Sequence, residues 1–215
     1  MNRIVAITFS VVASAVCALP APGVAAPDRS AALLARAEAF DAGLRGYSAA
    51  IRVDLTLQSF PYLHTTLVGT YYHQAPDRDK IVFTSGLPGM AQAFSKVYPH
   101  IESPSQWDRI YRIAMLGDDG AVTTFQLVPR KQGRVAHLDV RVDDATAAVV
   151  GMRWDYVDGG FVEISQRYGK IGGYYLPTYQ EGRVEIPLYR AAAVTRFGDY
   201  RLNPSFPPGF FDERS

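Results

Sequence analysis

If this chain performs chemistry, a short list of side chains has to supply it. His64, His73, His100 and His137 are the nitrogen ligands on offer. His64 and His73 are nine residues apart, and an odd separation on one regular strand sends two side chains to opposite faces. No HxH or HExxH spacing occurs, so no metal-ligand set is read from the histidines. The row His137, Asp139, Arg141 places a base, an acid and a cation on one face of a strand, which a charge relay would need. Solvated pairing across neighbouring strands needs the same residues.

The carboxylate pairs Asp118-Asp119 and Asp143-Asp144 fall in GDDG and DDAT, where adjacent acids serve turn geometry. Ser85, in TSGLPG, is the nearest approach to a nucleophile, but it lacks the GxSxG elbow and reads as a helix-entry residue. Gly159-Gly160 and Gly172-Gly173 join strand to strand and so build no phosphate loop. The reading assigns no catalytic residue, no metal ligand and no cofactor, and expects a non-enzyme.

The stretch RWDYVDGGFVEIS, residues 153–165, holds most of the ambiguity. Its tryptophan, tyrosine and three acids could form an aromatic and carboxylate site. Asp158-Gly159, however, is a strong hairpin signal, because a type I′ turn needs two residues that accept positive φ. On either side Val150, Met152, Trp154 and Tyr156 alternate with polar residues, as Val162, Ile164 and Tyr168 do with Glu163 and Arg167. The acids then lie on a wet face or in the turn, and the aromatics on a dry face.

The same period of two recurs along most of the chain. Ile51, Val53, Leu55 and Leu57 alternate with Arg52, Asp54, Thr56 and Gln58. YLHTTLVGTYYH, KIVFTS, YRIAML, AVTTFQLVP and RVAHLDVRVD continue the pattern between turn signals. Breaks are expected at Glu181-Gly182 and near Pro187. Two stretches depart from the pattern. PDRSAALLARAEAFDAGLRGY reads as a helix stopped by Gly46. SGLPGMAQAFSKVYPHIESPSQW places Leu87, Met90, Phe94 and Val97 three or four apart between prolines. About ten strands and two helices in this order predict an antiparallel meander with helices on one face, an α+β domain.

The opening MNRIVAITFSVVASAVCALPAPGVAA has the basic, apolar and small-residue segments of an export leader, with cleavage expected after Ala25. That leaves residues 26–215 as one domain. Lipidation at Cys17, the only cysteine, is not expected because Val16 is too large for that signal. A formal charge of +1 and the lack of a Lys/Arg run exclude nucleic acid as a partner.

The order of these parts resembles the LolA-like superfamily of periplasmic lipoprotein carriers. It rests on the N-terminal helix, the strand YSAAIRVDLTL, the PDR turn before KIVFTS, WDYVDGGFVEI, YGKIGGYYLP and the close RFGDYRLNPSFPPGFF. The resemblance implies a strongly curved antiparallel sheet, an incomplete barrel with helices covering its concave face. It implies a monomeric periplasmic carrier of lipid or lipoprotein acyl chains, handed on by a membrane protein donor or acceptor, or alternatively an envelope sensor whose sheet binds another protein. The ligand-binding residues expected are Leu87, Met90, Phe94 and Val97 as a lid, with Ile51, Val53, Leu55, Trp154 and Tyr156 as walls. Arg52, in the strand where the family's carriers have a basic residue, has the parity of the wet face.

Overall fold

The computed structural model describes residues 26–40, 42–60, 62–85, 103–187 and 189–212. Helix α1 (Ala26–Glu38) is followed by β1 (Gly46–Leu57), β2 (His64–Gln74) and β3 (Arg78–Ser85). A short helix α2 (Pro104–Ile110) precedes β4 (Tyr111–Asp118), β5 (Val122–Pro129), β6 (Val135–Asp143) and β7 (Val149–Tyr156). The chain ends with β8 (Phe161–Ile171), β9 (Tyr174–Ile186) and β10 (Tyr189–Leu202).

All ten strands form one antiparallel sheet in the order β3-β2-β1-β10-β9-β8-β7-β6-β5-β4. The first strand sits inside the sheet, because β10 returns to pair with it, Val53 lying opposite Thr195. β3 and β4 are the two edges, and they are not paired with one another. The sheet is therefore an open half-barrel, with β3 at one edge and β4, which α2 leads into, at the other.

Pairing registers decide which residues share a face, since directly opposed residues in an antiparallel pair point the same way. Ile51, Val53 and Leu55 of β1 share the inner face with Thr195 and Ala193 of β10, Gln180 and Gly182 of β9, and Ile164 and Val162 of β8. Met152 and Trp154 of β7, Leu138 and Val140 of β6, and Phe125 and Leu127 of β5 continue it.

α1 packs on one half of this face. Leu33 and Ala37, one turn apart, join Phe125, Leu138, Val140, Met152, Trp154 and Ile164 in one buried cluster, and Trp107 of α2 is part of it. Arg36 holds the helix by donating to the carbonyls of Asp144 and Ala145 at 3.0 and 2.6 Å. A second cluster, Ile51, Val53, Leu55, Leu57, Leu67 and Ala191, fills the inner face of the other half and includes no residue of either described helix. On the outer side of that half the C-terminal segment folds back. Phe210 packs edge-on against Tyr72 at 4.9 Å between ring centres, and Lys80 donates to the Phe210 carbonyl at 2.7 Å.

Four details differ from the sequence reading. α1 ends at Glu38 rather than running to Gly46; Gly43, at φ +89°, turns the chain before β1 begins. α2 covers a single Pro-started stretch too short to show periodicity. Glu181-Gly182 is no break, since β9 pairs without interruption through it with β10. Phe161 lies on the wet face, where Arg153 and Arg183 cover its ring at 3.9 and 4.8 Å.

Candidate ligand-binding site on the concave face

The two halves of the inner face meet along β8, β9 and β10, where the side chains become small. On β10 the inward positions are Ala191, Ala193 and Thr195, and on β9 Gly182 lies between Ile164 of β8 and Ala193 of β10. A Cβ built on Gly182 has no atom of the described residues within 4 Å. Larger side chains rise on each side: Leu55 and Val53 from β1, Val162 and Ile164 from β8. Val184 packs against both apolar clusters. The result is a trough, floored by glycine and alanine and walled by branched aliphatics.

One step along the strands the trough floor turns polar. Thr195, Gln180 and Gln166 stand side by side on β10, β9 and β8. The Gln180 amide donates to Gln166 Oε1 at 3.3 Å. The Gln166 amide donates to the Val149 carbonyl at 2.8 Å and to the Tyr168 hydroxyl at 2.7 Å. No carboxylate, lysine, arginine or histidine occupies an inward position beside this row on β1, β10, β9 or β8.

Of the expected wall residues, Ile51, Val53 and Leu55 lie on the trough side of the inner face, and all three are buried. Trp154 shares the face but belongs to the half that α1 covers. Tyr156 lies at its margin, and burial holds its hydroxyl proton more tightly than usual. The expected lid, Leu87, Met90, Phe94 and Val97, lies outside the described residues. The sequence reading missed Gly182, Ala191, Ala193, Thr195, Gln180 and Gln166. The AAAVT run was the available signal, since inward positions of β10 carry residues too small to fill a core.

The convex face is ionic. Asp139, Arg153, Glu163 and Arg183 are register partners on β6, β7, β8 and β9, giving a row of alternating charge across four strands. His137 joins it with Nε2 at 3.4 Å from Asp155 and 4.0 Å from Asp139. These three groups lie close enough together to hold a metal ion. Both oxygens of Asp155, however, already take a forked pair of hydrogen bonds from Arg153 at 2.9 and 3.0 Å. The fork and the charge of Asp155 raise the affinity of Arg153 for its proton.

His64 and His73 do face opposite ways. His64 meets Thr56 at 2.9 Å on the outer face, and His73 meets Asp79 at 2.8 Å on the inner one. The acid pairs shape turns. Asp119 accepts from the backbone of Ala121 and Val122, which lowers its proton affinity, and Asp143 caps Thr146. Arg52 lies on the outer face beside Asp54. Ser85 ends β3 at the sheet edge, opposite Val68.

No protein-family model and no curated protein matches the chain. Solved structures do. A DUF1329 family protein from Desulfovibrio piger superposes with a TM-score of 0.63 at 13% identity, covering 84% of this chain and 96% of that one. A putative outer membrane lipoprotein-sorting protein domain from Vibrio parahaemolyticus gives 0.59 at 12% identity, covering 86% and 95%. A LolA superfamily protein from Nitrosomonas europaea gives 0.57 at 10% identity, covering 84% and 96%.

Proposed function

We propose that this chain, which has the LolA-like fold, is a carrier that holds the acyl chains of a lipid or lipoprotein in the trough of its concave face. The observation that carries the reading is the floor at Gly182, where the inner face of a well-packed sheet leaves room that no described side chain takes. A protein interior is normally filled to the density of an organic crystal, so an apolar floor that the described side chains leave open suits a removable occupant. Two of the structural neighbours are named as a lipoprotein-sorting domain and a LolA superfamily protein, which supports the same class of cargo.

Binding of this kind needs no catalytic group. Burying about ten methylenes at roughly 0.8 kcal/mol each offers on the order of 8 kcal/mol before the entropic cost of association. The net affinity then falls around the micromolar range or weaker, which suits a protein that must release its cargo. Residues 1–25 serve as the export leader, residues 26–215 form the carrier, and the periplasm is its compartment. A membrane protein would act as donor or acceptor.

The test is native purification followed by solvent extraction and mass spectrometry, with titration of a phospholipid bearing a pyrene-labelled acyl chain. The wild type should carry lipid and bind the probe saturably. Gly182→Leu should weaken binding by about tenfold or more, because it fills the floor, while its melting temperature holds. An empty protein that leaves the probe unbound would overturn the proposal.

A further inference from the structure

We infer that the trough selects an acyl ligand whose buried polar group is uncharged, an ester or amide linkage seated on the Thr195, Gln180 and Gln166 row, and that it disfavours an ionised free fatty acid. The inference rests on the carrier reading above and names its substrate class.

The row is polar where the surrounding face is apolar. Thr195 and Gln180 are each only 5% exposed, yet they lie at the centre of the sheet beside Val53 and Ile164. A core that needed only packing would put aliphatic residues here, because buried polar groups cost stability unless they are paired. The glutamines are paired: Gln180 to Gln166, and Gln166 to Val149 and Tyr168. Thr195 is different. Its hydroxyl makes no hydrogen bond among the described residues, and no described side-chain nitrogen or oxygen is both sealed from solvent and unpaired. A residue this deep whose oxygen is nonetheless reachable opens onto space, and that space is the trough beside Gly182 and Ala193.

A threonine hydroxyl can donate one hydrogen bond to a carbonyl oxygen and accept another. An ester or amide carbonyl is therefore matched. A carboxylate is not, since no inward position of the central strands supplies a cation and an unpaired ion in an apolar site is strongly disfavoured.

The experiment is competition at pH 8 between the full-length mature protein loaded with the pyrene-labelled phospholipid and two displacers of equal chain length, monopalmitoylglycerol and palmitate. The neutral ester should displace the probe at a concentration at least about tenfold lower than palmitate. Thr195→Val, which keeps the side-chain shape, should raise the concentration of monopalmitoylglycerol required by about threefold to tenfold and leave palmitate unchanged. Gln180→Leu, read alongside circular dichroism, provides a second variant if the first perturbs folding. Equal displacement by ester and acid, or a preference that survives in both variants, would overturn the inference while leaving the carrier reading intact. Failure of the wild type to bind any of the three compounds would sink both.

Discussion

The Thr66 hydroxyl donates to Asp54 Oδ1 at 2.8 Å across the β1–β2 pair, while Arg196 of β10 reaches Oδ2 at 2.7 Å. The carboxylate is thus held on both sides of the central strand. Its proton affinity is lowered, chiefly by the Thr66 hydrogen bond and further by Arg196 and Arg52.

A group whose folded affinity for protons is depressed contributes stability above its unfolded value, here near 3.8, and loses it as pH falls through the folded value. Unfolding by urea should therefore show Asp54 contributing under about 1 kcal/mol at neutral pH, because the pair is partly exposed. That contribution should begin to fall below about pH 4 and be gone only once the pH lies below the folded value. Thr66→Val should show less of this acid loss than the wild type.

The hairpin between β7 and β8 separates two glycines that look alike in sequence. Gly159 and Gly160 both have φ near +90°, but a Cβ on Gly159 meets no atom of the described residues within 4 Å, whereas one on Gly160 overlaps the Glu185 carbonyl oxygen of β9. Gly159→Ala should cost about 1 kcal/mol through backbone strain alone. Gly160→Ala should cost more and should loosen the β8–β9 pairing, seen as faster amide exchange at Glu185 and Ile186.

Trp107 is the buried anchor of α2, packed with Leu33 and Ala37 of α1 against the sheet. Trp107→Ala should destabilise the protein by about 3 to 5 kcal/mol in equilibrium denaturation. A loss below about 1 kcal/mol would mean the helix is not docked as described.

Arg29 and Arg36 both tie α1 to the turn after β6, by different means. Arg36 donates to two backbone carbonyls, and Arg29 bridges Asp118 and Asp144 at 2.9 and 2.8 Å while remaining largely exposed. Arg36→Ala should cost about 1 kcal/mol and show little response to salt. Arg29→Ala should cost less, and 1 M salt should erase the difference from wild type, as expected for a screened surface pair.

Much of the architecture was legible because alternation is a local property. Ile51, Val53 and Leu55 announce a buried face without knowledge of any neighbour, and Asp158-Gly159 announces a turn, although the positive φ expected at Asp158 and Gly159 falls on Gly159 and Gly160 instead. α2 was not legible, since seven residues begun by Pro104 carry too little pattern to separate a helix from a loop. Nor was the dispersal of the aromatics around that turn: Trp154 enters the core, while Phe161 is stacked under arginines on the wet side.

The sequence by itself determined the parity of each strand, and hence which side chains turn away from water, because that choice depends only on neighbours along the chain. Which of those side chains stand together was decided by tertiary structure alone. Gly182, Ala193 and Ile164 come from three strands, and Thr195 meets Gln180 only because β10 returns to pair between β9 and β1. Register between strands distant along the chain is set by the packing of the whole inner face, and a shift of one residue would have turned the trough outward.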